Sequence, residues 1–194
     1  MRYRDEERLI DARARYFRAN EFGDDGGYQA RWVKVELGPI PFWFPNTEGR
    51  RRAVRYHDLH HVLTGYDTDL AGEAEIGAWE LASGCADHWA AWYLNAVAFF
   101  AGLFLAPRRI FRAFVRGRRT RNLYREPWQA IRLEDPVGAW RQRLGLDLGG
   151  DRRRPGDALC FVGFVTVGLL GWAVNSLLFL LPFVLLLWGL SSVL

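Results

Sequence analysis

His57-Asp58-Leu59-His60-His61 carries the most specific chemical pattern in this chain, and Glu73 follows it after eleven further residues. Residues four apart lie on the same face of an α-helix, so the rings of His57 and His61 can reach one point. A carboxylate beside the first histidine and another a dozen residues on add oxygen ligands, and such a set suits zinc or a similar divalent ion. The pattern therefore predicts a metal site held by helices.

Two antiparallel helices are predicted around this motif. Asn46-Thr47-Glu48 resembles a helix start, with a capping residue and an acid in the first turn, and this helix should end near Gly65. Tyr66-Asp67-Thr68-Asp69 is a turn and a second cap, and the next helix should end near Gly84. Helices joined by so short a turn lie side by side, which brings Glu73 back to the histidine pair.

The other polar residues near the motif leave some alternatives open. Glu80 follows Glu73 by seven residues on the same helix face, and it either supports the ligands from behind or is simply exposed. His60 is expected to point away from the ligand face, and Asp87 and His88 resemble a polar helix start. H-D-x-x-H also resembles the H-E-x-x-H of zinc peptidases, but the shorter aspartate makes that reaction a poor fit.

The first 45 residues are expected to form an amphipathic helix and an irregular segment. Apolar residues recur at three- and four-residue steps over residues 3–21, and a glycine-rich stretch ends the pattern. Residues 32–37 favour an extended conformation. The prolines at positions 39, 41 and 45 then predict irregular backbone, with at most a short hairpin.

Two stretches after the motif are apolar or basic. Residues 89–106 lack any charged side chain, which on length alone is typical of a membrane span, although a buried or membrane-facing core helix is the preferred interpretation. In the next segment, Ile110, Phe111, Phe114 and Val115 alternate with arginines. This pattern indicates either a helix on an anionic membrane surface or an ordinary amphipathic helix with a solvated face.

The C-terminal 36 residues, 159–194, also carry no charge. As one helix they would measure about 54 Å, whereas a bilayer core is about 30 Å thick. We therefore predict a transmembrane helical hairpin that bends near Asn175-Ser176, with a longer second span kinked at Pro182 or a re-entrant hairpin as the alternatives. Arg152-Arg153-Arg154 just before it places the preceding domain on the cytoplasmic face, in a bacterium at the inner membrane.

The composition narrows the classes of function. The net charge is +4, and Lys34 is the only lysine. The arginines lie beside apolar segments, as in cytoplasmic membrane flanks, so no nucleic-acid partner is expected. Cys85 and Cys160 are far apart and form no C-x-x-C pair, which favours a reducing compartment. Residues 1–20 do not resemble a secretory signal.

With these residues in place, the chain resembles the Coq-four family of ubiquinone (coenzyme Q) biosynthesis, whose signature is H-D-x-x-H, eleven residues and E. The resemblance covers residues 46–148. The matching blocks are His57-Asp58-Leu59-His60-His61-Val62-Leu63-Thr64-Gly65, Leu70-Ala71-Gly72-Glu73, Pro107-Arg108-Arg109 after an aromatic-rich helix, and Arg116-Gly117-Arg118-Arg119 followed by Asn122-Leu123-Tyr124, with aromatic residues at Trp128 and Trp140.

The resemblance implies a function and a ligand set. It assigns His57, Asp58, His61 and Glu73 as ligands of a divalent metal, usually zinc, with Asp58 and Glu73 as the catalytic residues. The implied reaction is oxidative decarboxylation at carbon 1 of a prenylated quinone precursor. The alternatives are a non-catalytic scaffold that binds prenyl lipids, or a metal enzyme acting on another membrane lipid. Implied partners are the membrane, the precursor, other enzymes of quinone biosynthesis and a second copy of the chain.

The expected fold class is therefore all-α. Residues 1–45 form the N-terminal helix and irregular segment, residues 46–150 the helical metal-binding domain, and residues 159–194 the membrane hairpin.

Overall fold

The computed structural model describes residues 3–37, 40–147 and 154–191. These residues are predominantly helical, as predicted, and the chain divides into two compact units, residues 1–152 and 153–194. The elements of the first unit are α1 (Leu9–Ala19), β1 (Trp32–Leu37), β2 (Ile40–Pro45), α2 (Glu48–Thr64), α3 (Leu70–Ser83), α4 (Trp89–Leu105), α5 (Pro107–Gly117) and α6 (Val137–Leu144), with short 3₁₀ turns at Leu123–Arg125 and Trp128–Ala130. The second unit contains α7 (Asp157–Ser191).

The ends of α2 and α3 lie where the sequence predicts them. The Thr47 hydroxyl accepts a hydrogen bond from the Arg50 N–H at 3.3 Å, which satisfies one of the free donors at the start of α2. Gly65 ends the helix with φ +77°, a left-handed conformation that glycine adopts without strain. The Asp69 carboxylate then accepts from the Gly72 N–H at 2.6 Å and begins α3.

Helix α3 is the centre of the first unit, because α4 and α5 both pack against it. Its long side chains Ile76 and Trp79 are fully buried. The neighbouring helix approaches closely at Gly77, where an added Cβ would lie only 3.1 Å from the Asn95 carbonyl oxygen. A larger residue would push α4 away from α3, so this glycine sets the distance between the two helices.

The C-terminal end of α2 is fixed by arginine side chains. Arg141 donates from Nε to the Leu63 carbonyl at 2.9 Å and from Nη2 to the Val62 carbonyl at 3.2 Å. Arg116 donates to the Thr64 carbonyl at 3.1 Å. Helix ends leave such carbonyls without partners, and cationic donors there also interact favourably with the helix dipole. These two arginines therefore fix the last turn of α2, directly after the histidines.

The structure shows which faces of the two segments after the motif are buried. In α4, Ala91 and Phe99 are buried, whereas Trp89 and Phe104 are 65% and 90% exposed, so the helix presents a narrow face to the core and large apolar side chains outward. In α5, the apolar face that includes Ile110 is buried, whereas Arg108, Arg109 and Arg112 are exposed. That is the ordinary amphipathic helix, and its apolar face is not free to enter a membrane.

The segment that contains Pro41 and Pro45 forms a short β-hairpin. The sequence predicted irregular backbone here, with at most such a hairpin. Strands β1 and β2 are antiparallel, with Trp32 opposite Pro45 and Val33 opposite Phe44. Asn46, which follows β2, donates to the Ala30 carbonyl at 2.8 Å and so fastens the start of α2 to the loop before the hairpin.

The predicted bend in the C-terminal segment is wrong. Helix α7 runs without interruption through Asn175-Ser176, where the hairpin was expected to reverse. Asparagine and serine each cost well under about 1 kcal/mol in a helix, which is too little to end one by themselves. No helix in the described ranges combines the length and the apolar character of a membrane span, so the predicted transmembrane hairpin is not supported.

Candidate metal centre

Three of the predicted ligands converge. One ligand atom from each of His57, His61 and Glu73 lies within 4.8 Å of the other two. The two Nε2 atoms are 3.1 Å apart, and each lies 3.3 Å from a different oxygen of Glu73. The short turn between α2 and α3 therefore brings the carboxylate to the histidine pair, as predicted. We call these residues the metal trio.

The remaining ring nitrogens of both histidines are already engaged. His57 Nδ1 lies 3.0 Å from Glu80 Oε1, and His61 Nδ1 lies 3.0 Å from the carbonyl oxygen of Tyr66. Both partners are acceptors, so each Nδ1 carries a proton and donates it. In the neutral rings the lone pairs are then on Nε2, the atoms that face each other and Glu73. Such hydrogen bonds from the outer nitrogen orient metal-binding histidines in proteins.

Glu80 is the centre of a buried polar network. The side chain is fully buried, and its Oε1 accepts from His57 and, at 2.6 Å, from His60 Nδ1. Its Oε2 accepts from the Tyr124 hydroxyl at 2.8 Å and from the Asn95 amide. Four donors fill the acceptor sites of a carboxylate. Burial raises the pKa of Glu80, but the histidines and these hydrogen bonds outweigh it and hold the pKa well below its usual range.

The charges in the centre favour a positive charge between the two Nε2 atoms and the Glu73 carboxylate. Burial favours neutral His57, yet Glu80 and Glu73 together raise the pKa of His57 well above its usual value. Burial also opposes ionised Glu73, but the facing rings of His57 and His61 lower the pKa of Glu73 to about 2. Two facing lone pairs and a carboxylate are satisfied either by a proton or by a metal ion. The donor set fits the ion, since two imidazoles and one carboxylate are a ligand set of catalytic zinc sites.

Asp58 is placed differently from the other predicted ligands. It is buried, and its carboxylate accepts a hydrogen bond from the Tyr28 hydroxyl at 2.5 Å rather than joining the metal trio. Burial raises the pKa of Asp58, while the Tyr28 hydrogen bond opposes that rise. Asp58 nevertheless lines the same cavity as His57 and Glu73. Asp58 therefore lies beside the metal trio in the cavity wall, but its carboxylate does not converge with the three ligand atoms.

A cavity of about 510 Å³ opens onto the centre. Its apolar lining comes from α1, the hairpin, α2 and α4, and its polar lining includes His57, Glu73 and Arg50. Tyr16 of α1 forms one wall and stacks on the His61 ring, with centroids 5.4 Å apart and planes inclined by 21°. The apolar residues are Phe22, Ala30, Trp32, Val33, Phe44, Ala53, Val54, Ala91, Leu94 and Ala98.

Several residues of the centre were not predicted from the sequence. Tyr28, Asn95 and Tyr124 lie far from the motif in the chain and give no local signal. Glu80 did give one, because a second acid seven residues after Glu73 lies two turns along the same face of α3. His60 points away from the metal trio, as predicted, and its Nε2 accepts from the Leu123 N–H at 2.9 Å.

The two residues expected at the start of α4 are there. His88 is the residue before the helix, but its side chain makes no capping hydrogen bond, and Asp87 forms an ion pair with Arg52 at 2.9 Å. Neither belongs to the metal trio.

Comparisons of the chain with protein-family models, with curated proteins and with solved structures found no match.

Proposed function

We propose that this chain is a metal-dependent protein of ubiquinone biosynthesis that removes the carboxyl group from carbon 1 of a prenylated ring precursor. The observation that carries the proposal is the metal trio, whose two histidines have their outer nitrogens fixed by Glu80 and by the Tyr66 carbonyl. The resemblance to the Coq-four family supplies the substrate class. Zinc is the proposed metal.

Three protein ligands leave room for a substrate oxygen, the arrangement of catalytic rather than structural zinc sites. A bound divalent ion would act there as a Lewis acid on a carboxylate or hydroxyl oxygen of the ring. Glu80 keeps His57 in the tautomer that offers Nε2, and Glu73 supplies the anionic ligand. In this proposal Asp58 and Glu73 are the catalytic residues. The hydroxyl that replaces the carboxyl group requires an oxidant from outside the chain.

The cavity supports an apolar substrate. Its volume of about 510 Å³ falls within the range of about 300–1,000 Å³ that is typical of small-molecule sites. Apolar side chains such as Val54 and Leu94 line it next to the metal trio. They would contact the ring and the first isoprene units, and they would exclude water from the reacting centre.

We also propose that the chain associates with a membrane on its cytoplasmic face. Trp89, Tyr93 and Phe104 of α4 are strongly exposed, and Arg108 follows directly at the start of α5. Aromatic side chains beside arginines are typical of surfaces that bind anionic lipid. Helix α7 adds further exposed apolar side chains, among them Leu159. A lipid surface is where a prenylated precursor would be found.

A scaffold that presents prenyl lipids to other enzymes is the second candidate. The exposed apolar side chains of α4 favour it, because such a surface also suits a protein partner, whether another biosynthetic enzyme or a second copy of this chain. A scaffold has no need of the metal trio, so the two candidates differ in whether the ligands are required.

The test is quinone profiling in a strain that lacks its own Coq-four-type protein. Wild type should restore ubiquinone, whereas Glu73→Gln should accumulate the carboxylated precursor while the protein remains folded. Glu75→Gln, on the same helix, is the matched control and should behave as wild type. Equal restoration by wild type and Glu73→Gln would favour the scaffold. Failure of all three proteins would contradict the proposed substrate.

A further inference from the structure

Arg50 is a cation in the cavity whose hydrogen-bonding capacity is largely unused. Its Nη1 donates to Asn46 Oδ1 at 2.9 Å, and its guanidinium lies over the Phe44 ring at 5.5 Å. Its Nε is buried and has no hydrogen-bond partner. Across the described ranges, Arg50 also forms no ion pair, and its Nη2 has no acceptor.

The unused edge has a specific shape. Nε and Nη2 lie on the same side of the guanidinium and donate in parallel, which matches the two oxygens of a carboxylate. Burial also makes the charged form unfavourable and lowers the pKa of Arg50, and the Asp58 charge only partly offsets this. The Asp58 carboxylate accepts from Tyr28 instead of pairing with Arg50. A buried donor without a partner is costly, so the contacts with Asn46 and Phe44 alone do not account for this edge of the guanidinium.

The position of Arg50 relates it to the metal trio. Arg50 lines the same cavity as His57 and Glu73 of the metal trio, and it precedes His57 by seven residues on α2. That spacing is two turns on one helix face, or about 10 Å along the axis. Asn46 holds the guanidinium in place and is itself fixed by the Ala30 carbonyl. One ligand can therefore contact Arg50 with one end and the metal trio with the other.

We propose that Arg50 binds the carboxylate of the ligand that occupies this cavity, through its Nε and Nη2 edge. The inference rests on the proposed function for the identity of the ligand, a carboxylated apolar ring, and it names the residue that distinguishes this ligand from its decarboxylated product. Loss of the carboxyl group removes the partner of Arg50, so the product is held less tightly than the substrate.

The test measures binding to the full chain in detergent by calorimetry, with matched pairs of probes. The pairs are a geranylated hydroxybenzoate and its methyl ester, dodecanoate and its methyl ester, and dodecyl phosphate and dodecanol. Wild type should bind a carboxylate about 10- to 100-fold more tightly than its ester, the range expected for one or two hydrogen bonds to a charged group. Arg50→Gln should lose this preference.

Two further variants isolate the edge of the guanidinium. Arg50→Lys keeps the charge but not the parallel donors, so it should retain only part of the preference. It also serves if Arg50→Gln does not fold. Arg51→Gln removes a neighbouring charge on α2 that does not line this cavity, and it should leave the preference intact.

The outcomes separate this inference from the proposed function. No carboxylate preference in wild type, full preference in Arg50→Gln or Arg50→Lys, or a preference for the phosphate alone would each overturn the inference. Elemental analysis of the same samples reads the metal site independently. A carboxylate preference that depends on Arg50 in a protein without metal would support the inference and contradict the proposed function. A protein that contains metal but shows no carboxylate preference would contradict the inference and support the proposed function.

Discussion

Replacing Glu80 by glutamine should weaken the metal site without unfolding the protein. The amide has nearly the shape of the carboxylate, and its oxygen can still accept from His57 and His60. Its NH₂ group then faces Tyr124 and Asn95, which now have to accept a hydrogen bond. A hydroxyl can rotate and a side-chain amide can flip, so the network can be rebuilt. The negative charge behind His57 is what the substitution removes.

The expected magnitude follows from that lost charge. Partners that orient metal-binding histidines contribute about 10- to 100-fold in metal affinity, so Glu80→Gln should weaken zinc binding by this factor. Glu80→Leu should be far more damaging, because it leaves four buried donors without an acceptor. Breaking such a buried charged network costs about 3–5 kcal/mol. For a chain of this size each kcal/mol lowers the melting temperature by about 2–4 °C.

The assay is a zinc titration against a chromophoric chelator, with a thermal melt of each variant. Glu75→Gln is the matched control on α3. Among the described residues Glu75 pairs with the exposed Arg109 at 2.6 Å, and pairs at the surface contribute about 0–1 kcal/mol. Zinc affinity in Glu80→Gln equal to that of wild type would refute the argument, because the carboxylate would then have no influence on His57. An equal loss in Glu75→Gln would show a nonspecific effect of charge.

Three further predictions concern the ligands, the pH response and the C-terminal unit. His57→Ala should lose most of the metal, whereas Asp58→Asn should keep it because the Asp58 carboxylate faces Tyr28. Elemental analysis of both variants measures this. Metal loss in Asp58→Asn would show that Asp58 is a ligand after all. In metal-free protein, folding lowers the pKa of Glu80 from 4.5 and raises the pKa of His57 from 6.5. The stability that ionised Glu80 contributes is therefore lost as the pH falls below 4.5. The stability that protonated His57 contributes is lost as the pH rises through the folded-state pKa of His57. Melting temperatures across pH should show this window in wild type and a narrower one in Glu80→Gln, where only Glu73 still raises the pKa of His57. Removal of residues 153–194 should reduce recovery of the protein with membranes, and unchanged recovery would leave the exposed side chains of α4 as the attachment.

The boundaries of α2 and α3 could be predicted because their signals are local. Thr47 and Asp69 each accept from a backbone N–H three residues on, and Gly65 takes the left-handed conformation that ends a helix. None of these interactions depends on a distant part of the chain. The convergence of Glu73 on the histidines follows from them, because a short turn between two helices leaves little freedom in how they lie.

The surroundings of Glu80 could not be predicted for the opposite reason. Its role depends on Asn95 from α4 and on Tyr124 from the turn after α5, and both reach it only when α4 and α5 pack against α3. The C-terminal segment shows a different limit. Its lack of charge predicted a membrane span, but Asn175-Ser176 carries no signal strong enough to choose a bend over a continuous helix.

The first 45 residues show most clearly why a motif alone does not define this site. The resemblance begins at residue 46, yet Tyr16 stacks on His61 and Tyr28 donates to Asp58. Trp32 and Phe44 of the hairpin line the cavity that Arg50, His57 and Glu73 also line. The ligands are thus supplied by the two helices of the motif, whereas much of the cavity wall comes from the segment before it. The choice of substrate should therefore depend on residues that the motif does not contain, while the choice of metal should not.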